Sequence, residues 1–202
     1  VDYFGNWKAL HYHAKRFFNE IIIVIHEKEE RIHISVINDK HKKVESRIQL
    51  QLSTFEGFML HEKTFDYTIK EASSEVVYSF EKKRYLKGKA LSELFIHAEI
   101  WKGKKAVCNN KYYFVVPKDL NLPASNFNYE AKKVGEMISI RIQALSFVYQ
   151  LYITCNNADG VFSDNFFDLL AGETITIYFT PSEKSIDLKY DFSLNTAMDI
   201  SN

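Results

Sequence analysis

RIHISVIND, residues 31–39, sets Ile32, Ile34 and Val36 on one side of the chain and Arg31, His33 and Ser35 on the other. A period of two is the pleat of a β-strand, with one face for a core and one for water. The alternation recurs on either side of the break described below. RIQLQLS carries Ile48, Leu50 and Leu52, and TFDYTIK carries Phe65, Tyr67 and Ile69. ELFIHAEIW sets Leu94, Ile96, Ala98 and Ile100 against Phe95, His97, Glu99 and Trp101. Lys102-Gly103-Lys104 then turns the chain towards KYYFVV. Half-buried strands joined by short turns imply antiparallel sheets packed as a sandwich.

PKDLNLPAS, residues 117–125, breaks the pattern, because Pro117 and Pro123 bracket a polar stretch that cannot continue a central strand. We read it as a linker. Beyond it MISIRIQA, VYQLYITC, ETITIYF and LKYDFSL alternate again, with turn signals at residues 156–160 and at Ala171-Gly172. Upstream of residue 20 the period is 3.6 instead. Trp7, Leu10, Ala14, Phe17 and Phe18 form an apolar stripe, Lys8, His11, Lys15 and Arg16 the other side, and Asn6 stands as N-cap. A lone helix of this length needs a partner for its stripe: it rests on the first sandwich, or stays partly exposed and drives dimers. The expected fold is all-β, two antiparallel β-sandwiches in tandem preceded by one N-terminal α-helix. The expected organisation is a terminal helix over 1–19, a first sandwich over 20–120 and a second over 121–202, with 196–202 frayed.

Composition narrows the function. Forty-six per cent hydrophobic and 15% aromatic residues suffice for packed cores, and Lys+Arg and Asp+Glu balance at 26 each. A chain without positive surplus is poorly suited to nucleic acid. The basic run Glu81-Lys82-Lys83-Arg84, continuing to Lys87 and Lys89, reads as a solvated loop. The longest apolar run, 21–25, is too short to span a bilayer. Cys108 and Cys155 fall in different expected domains, which argues against a disulfide. The chain opens at Val1-Asp2-Tyr3 without methionine, as a piece of something longer would.

The residues that could carry chemistry do not converge in sequence. No zinc, phosphate-loop or nucleophile-elbow motif appears. His11 and His13 diverge on a helix, His33 and His97 read as solvent-facing strand residues, and His41 and His61 sit near turns. Paired carboxylates suffice for glycoside hydrolysis, and Glu29-Glu30 or Asp164 with Asp168 are such pairs. An enzyme site also needs a concave pocket, and outward acids on strands are ordinary solubilising residues. FSDNFFDLLAGE, residues 162–173, is therefore read as a corner. Ser163-Asp164-Asn165 makes a turn whose side chains bond nearby amides. Phe166 and Phe167 face opposite ways along a strand, and 170–173 reverses the chain.

The N-terminal run resembles the end of the catalytic barrel in β-mannosidases of glycoside hydrolase family 2, matched by Asp2, Tyr3, Gly5, Trp7, Lys8, Ala9, Leu10, Tyr12, Arg16, Phe17 and Phe18. YYFVVPKDLNLP looks like that family's segment between two C-terminal immunoglobulin-like domains, and FSDNFFDLLAGE like the signature of the last one, with Ala171 where proline is usual. The resemblance implies a retaining exo-enzyme that removes terminal non-reducing β-D-mannose. Its catalytic glutamates would lie in a barrel upstream of Val1, so this chain holds the closing helix and two accessory immunoglobulin-like sandwiches. Asn19-Glu20 imitates the family's acid/base pair, but it follows a helix and precedes a strand, the reverse of a barrel's catalytic context. No catalytic, cofactor-binding or metal-ligating residue is assigned, and no cofactor is expected. The implied partners are the catalytic barrel of the same polypeptide and, through the parent enzyme, a mannose-containing oligosaccharide, with no nucleic acid and no membrane. The implied compartment is periplasmic or extracellular for a bacterial parent and lysosomal for an animal one. Two alternatives stand beside this reading: a carbohydrate-binding or adhesion module using Trp101 beside Phe95, and a family member acting on galactose or glucuronic acid.

Overall fold

The computed structural model describes residues 7–183 and 189–199. Asp2, Tyr3, Gly5 and Asn6 of the helix motif, and Leu188 of the last strand pattern, lie outside these residues. The chain divides into two compact units, one of residues 18–121 and one of 1–17 with 122–202. The N-terminal helix α1, Ala9–Phe17, thus belongs with the second sandwich.

The first unit is built from β1 (Ile21–Lys28), β2 (Arg31–Asn38), β3 (Val44–Thr54), β4 (Met59–Ile69), β5 (Ser73–Glu81), β6 (Leu94–Lys102) and β7 (Lys105–Tyr113). A three-stranded sheet in the order β1-β2-β5 faces a four-stranded sheet in the order β4-β3-β6-β7, all pairs antiparallel. The period-2 residues do what their spacing requires: Ile32, Ile34, Val36, Ile48, Leu50, Leu52, Ile96, Ala98 and Ile100 are buried in one core between the sheets. The β1–β2 hairpin turns on Glu29-Glu30, both with positive φ (52° and 57°). Two such residues in a two-residue loop make the turn whose twist matches the strands.

Two expectations fail here. Phe95 and His97 are 3% and 7% exposed, not solvent-facing. β6 is an interior strand, so each has cross-strand neighbours on both sides: Ser53 and Tyr113 for Phe95, Gln51 and Lys111 for His97. Phe55 stacks on Phe95 at 5.2 Å and completes the cover. The basic run is not a loop either, since 82–86 form a short helix, α2 (Lys82–Leu86), anchored by buried Leu86 with Lys83 and Arg84 outward.

The second unit contains β8 (Phe127–Val134), β9 (Met137–Ala144), β10 (Val148–Cys155), β11 (Gly160–Phe162), β12 (Phe167–Leu169), β13 (Thr174–Pro181) and β14 (Phe192–Asn195). Its sheets run β11-β13-β9-β8 and β12-β10-β14. Ile138, Ile140, Ile142, Leu151, Ile153, Ile177 and Phe179 fill the core, joined by Tyr12 from α1. Of the described residues of the pattern LKYDFSL, those from Phe192 onward form strand. Thr196, expected to fray, is 1% exposed, its backbone and hydroxyl both donating to the Asp199 carboxylate. Among the described residues, no helix is long and apolar enough to cross a membrane, which says nothing of a β-barrel.

Candidate functional site

The corner at 162–173 is assembled from short side chains that replace missing ladder bonds. The Ser163 amide donates to Tyr178 O at 2.7 Å and the Tyr178 amide to Ser163 Oγ at 2.9 Å, so Ser163 extends β11 by one residue. Asn165 does more. Its Oδ1 accepts from the Ile153 amide at 2.8 Å and its Nδ2 donates to Ile153 O at 2.8 Å, while the same Oδ1 takes the Phe166 amide at 3.0 Å. A buried side chain thereby satisfies both backbone groups of a core strand residue that would otherwise be orphaned. Asp168 Oδ1 accepts the Gln150 amide and Nε2 at 2.8 and 3.0 Å, beside the irregular register between Val148 and Leu151. Glu173 accepts the Leu170 amide at 2.8 Å, and Gly172 turns at φ +82°.

Phe166 departs from the sequence reading. It is not a strand residue: its φ is +54°, and β12 begins at Phe167. The two rings still part company, Phe167 into the core and Phe166 against Tyr12 and, stacked at 5.6 Å, Tyr152. The left-handed step also turns the carbonyls of Asn165 and Phe166 out of any ladder, and they need donors.

Helix α1 supplies them. Arg16 donates through Nη1 to Phe166 O at 3.1 Å and through Nη2 to Asn165 O and to Asp164 Oδ1, the last at 2.8 Å. Lys15 reaches Ser163 O at 2.9 Å. One turn earlier Tyr12 is 2% exposed, and burial pushes its phenol above the usual range. His13 lies against Arg16 at 3.3 Å, and burial, with Arg16, holds its pKa below the ordinary value. The face that docks is therefore Tyr12 and Arg16, four residues apart. Of the apolar stripe, Trp7 packs on this core, but Leu10 is 79% and Phe17 75% exposed. Hydrophobic periodicity misjudged this helix because an arginine made the decisive contacts.

The remaining weighed residues fall apart in space or are engaged. Asp164 is ion-paired with Arg16, and Asp168 is bound to Gln150. Glu29 and Glu30 form the hairpin turn. Glu20 is exposed and bonded to Lys40 at 2.7 Å, which lowers its pKa, whereas a general acid needs a raised one. Trp101 is half-buried, and its Nε1 donates to Glu99 at 3.2 Å. His97 is pushed down to about 3 by burial and by Lys111. His61 stacks on Tyr85 at 4.4 Å. Cys108 and Cys155 are free thiols. Among the described residues no three His, Cys, Asp or Glu side chains converge to hold a metal ion.

The corner and the helix, 148 residues apart in sequence, are the two motifs most distinctive of this chain, and they are one structure. A family profile described as Mannosidase Ig/CBM-like domain matches residues 30–119, and a mannosidase profile described as Ig-fold domain matches 122–200. The two profiles together place a pair of mannosidase-type immunoglobulin-like domains along most of the chain. β-Mannosidases of Capra hircus and Mus musculus are 23% and 24% identical to it over 209 and 218 residues. Each alignment covers 98% of this chain and 24% of the relative, so the mannosidase-type pair spans about a quarter of the length of these proteins. In solved structures, a β-D-mannosidase from Dictyoglomus thermophilum superposes with a TM-score of 0.80 at 22% identity, over 98% of this chain and 24% of that one. An Amycolatopsis orientalis exo-chitosanase follows at 0.65 and 13% identity, over 92% of this chain and 26% of that one. Both share the fold.

Proposed function

We propose that this chain is the non-catalytic C-terminal region of a retaining exo-β-mannosidase, and that its two sandwiches brace a catalytic barrel that precedes them. The observation that carries the proposal is the two-faced helix α1. One face is fixed to the second sandwich by Tyr12 and the three-acceptor grip of Arg16, while Leu10 and Phe17 face outward. A helix held this way presents an apolar surface on a rigid mount, which suits the last helix of a barrel seated on its support. The relatives' length supports a larger preceding part, and the engagement of Asp164, Asp168 and Glu20 supports placing the chemistry there. The carbohydrate-binding alternative gains nothing from Trp101 and Phe95, because one is tied to Glu99 and the other is buried.

The proposal predicts no turnover of an aryl β-mannoside by the 202-residue chain, and no calorimetric binding of mannose, mannobiose or manno-oligosaccharides tighter than about 1 mM. Activity abolished by Glu20→Gln would overturn the non-catalytic role. Tight sugar binding by an otherwise inactive chain would instead favour a binding module.

A further inference from the structure

The outward face of the three-stranded sheet in the first sandwich carries a feature that the bracing role does not use. The antiparallel register of β1 and β2 sets His26 directly opposite His33. Their neighbours Ile25, Ile32 and Ile34 point into the core, so both imidazoles stand on the other face, half-buried. The rings lie face to face, centroids 5.2 Å apart and planes 17° from parallel. Among the described residues, no group hydrogen-bonds to either ring. The strands are fixed by the two-residue turn at Glu29-Glu30 and by β5, which pairs with the far edge of β2. The backbone that carries both rings is therefore already ordered, and only the side chains have to turn.

We propose that His26 and His33 form a two-histidine binding site for a divalent transition-metal ion. Neutral imidazole is a good ligand for Zn(II), Ni(II) and Cu(II). Metal–nitrogen bonds of about 2.0–2.1 Å require the two ligand nitrogens to lie within about 4 Å of each other. Opposed across the strands, the two side chains reach it when the rings turn out of their stack, so that the in-plane lone pairs of both nitrogens converge on one ion. The open sheet face leaves the remaining coordination positions to water. Among the described residues no third His, Cys, Asp or Glu joins the pair, and nearby Glu81 and Ser79 both accept from Arg31, at 3.3 and 3.2 Å. Lys28 and Arg31, paired across the strands one step further along this face, add positive charge that weakens the site. Cu(II) therefore binds more tightly than Zn(II), in the order imidazole ligands impose.

The test is a titration of the chain with Cu(II) and with Zn(II) in a non-chelating buffer, followed by calorimetry and by the imidazole proton signals. The expected result is one saturable equivalent, tighter for Cu(II), and weakened about tenfold or more by His26→Gln and equally by His33→Gln. His61→Gln, in the same sandwich, leaves the affinity unchanged. Both sensitive variants replace outward side chains, and their far-ultraviolet circular dichroism should match that of the unmodified chain. Should either fail to fold, protection of His26 and His33 from diethyl pyrocarbonate by bound metal, read by mass spectrometry on the unsubstituted chain, decides in their place. Absence of saturable binding, affinity untouched by both variants, or protection elsewhere but not at these two rings overturns the site.

Discussion

The two sandwiches reach the same architecture by different means. In the first, β3 and β4 are 11 residues each and pair along nearly their whole length, so continuous backbone ladders hold the sheet. In the second, β11 and β12 have three residues each and β14 four. Side chains do there what ladders do in the first unit. Asn165 bridges both backbone groups of Ile153, Asn157 receives the Asp191 amide and donates to Lys189 O, and Asp168 holds the bulged Gln150. The first sandwich has its own buried asparagine, Asn38, donating to Lys42 O and Lys70 O at 3.0 and 2.8 Å, but it ties loops rather than a core strand. A fold built on a few brackets concentrates its stability in a few side chains.

That contrast can be broken unit by unit, because the two tryptophans fall one in each: Trp7 beside Tyr12, and Trp101 on β6. Single-tryptophan variants let denaturant unfolding be read separately. The largest effect is expected from Asn165→Ala. It strands the amide and carbonyl of buried Ile153, each costing about 1–3 kcal/mol, so the Trp7-reported transition should lose about 4 kcal/mol. The Trp101-reported one should not move; equal shifts in both would show that the brackets are not local.

Acid should act most strongly on the first unit, by about 2 kcal/mol at pH 5. His97 has its folded pKa depressed to about 3, against an ordinary 6.5. Below 6.5 the unfolded chain therefore binds a proton that the folded chain refuses. Stability is full above 6.5 and declines as pH falls towards 3, with a limiting slope of about 1.4 kcal/mol per pH unit. His13 shifts in the same direction in the second unit, so the comparison rests on His97→Gln removing the slope seen by Trp101 and leaving that seen by Trp7. The smallest effect belongs to Arg16→Lys. An ammonium replaces a planar fork that serves three acceptors, and because the pair is about one-third exposed we expect about 1–2 kcal/mol. The expected signature is faster tryptic cleavage within α1 with the second-sandwich core intact; cleavage at an unchanged rate would mean that the guanidinium fork is not what holds the helix.

Much of this was legible in the residues. The period of two in RIHISVIND and its fellows placed the core-facing residues of both sheets, because a pleat allows only two faces. The corner at 163–165 was legible too, since Ser, Asp and Asn bond their own backbone in turns. Phe166 was not, because its left-handed backbone depends on Asn165 being held by Ile153, twelve residues back.

By itself, then, the sequence determined the strands, the helix segment and the family to which they belong, all of them local patterns or motifs. Only the tertiary structure decided what covers a second face. It buried Phe95 and His97 on the side that alternation assigns to water, and it docked α1 through Tyr12 and Arg16 while leaving Leu10 and Phe17 of its apolar stripe outward. Periodicity reports which residues share a face. What that face meets is set by chain segments far away in sequence, here two carbonyls that a left-handed phenylalanine left without donors.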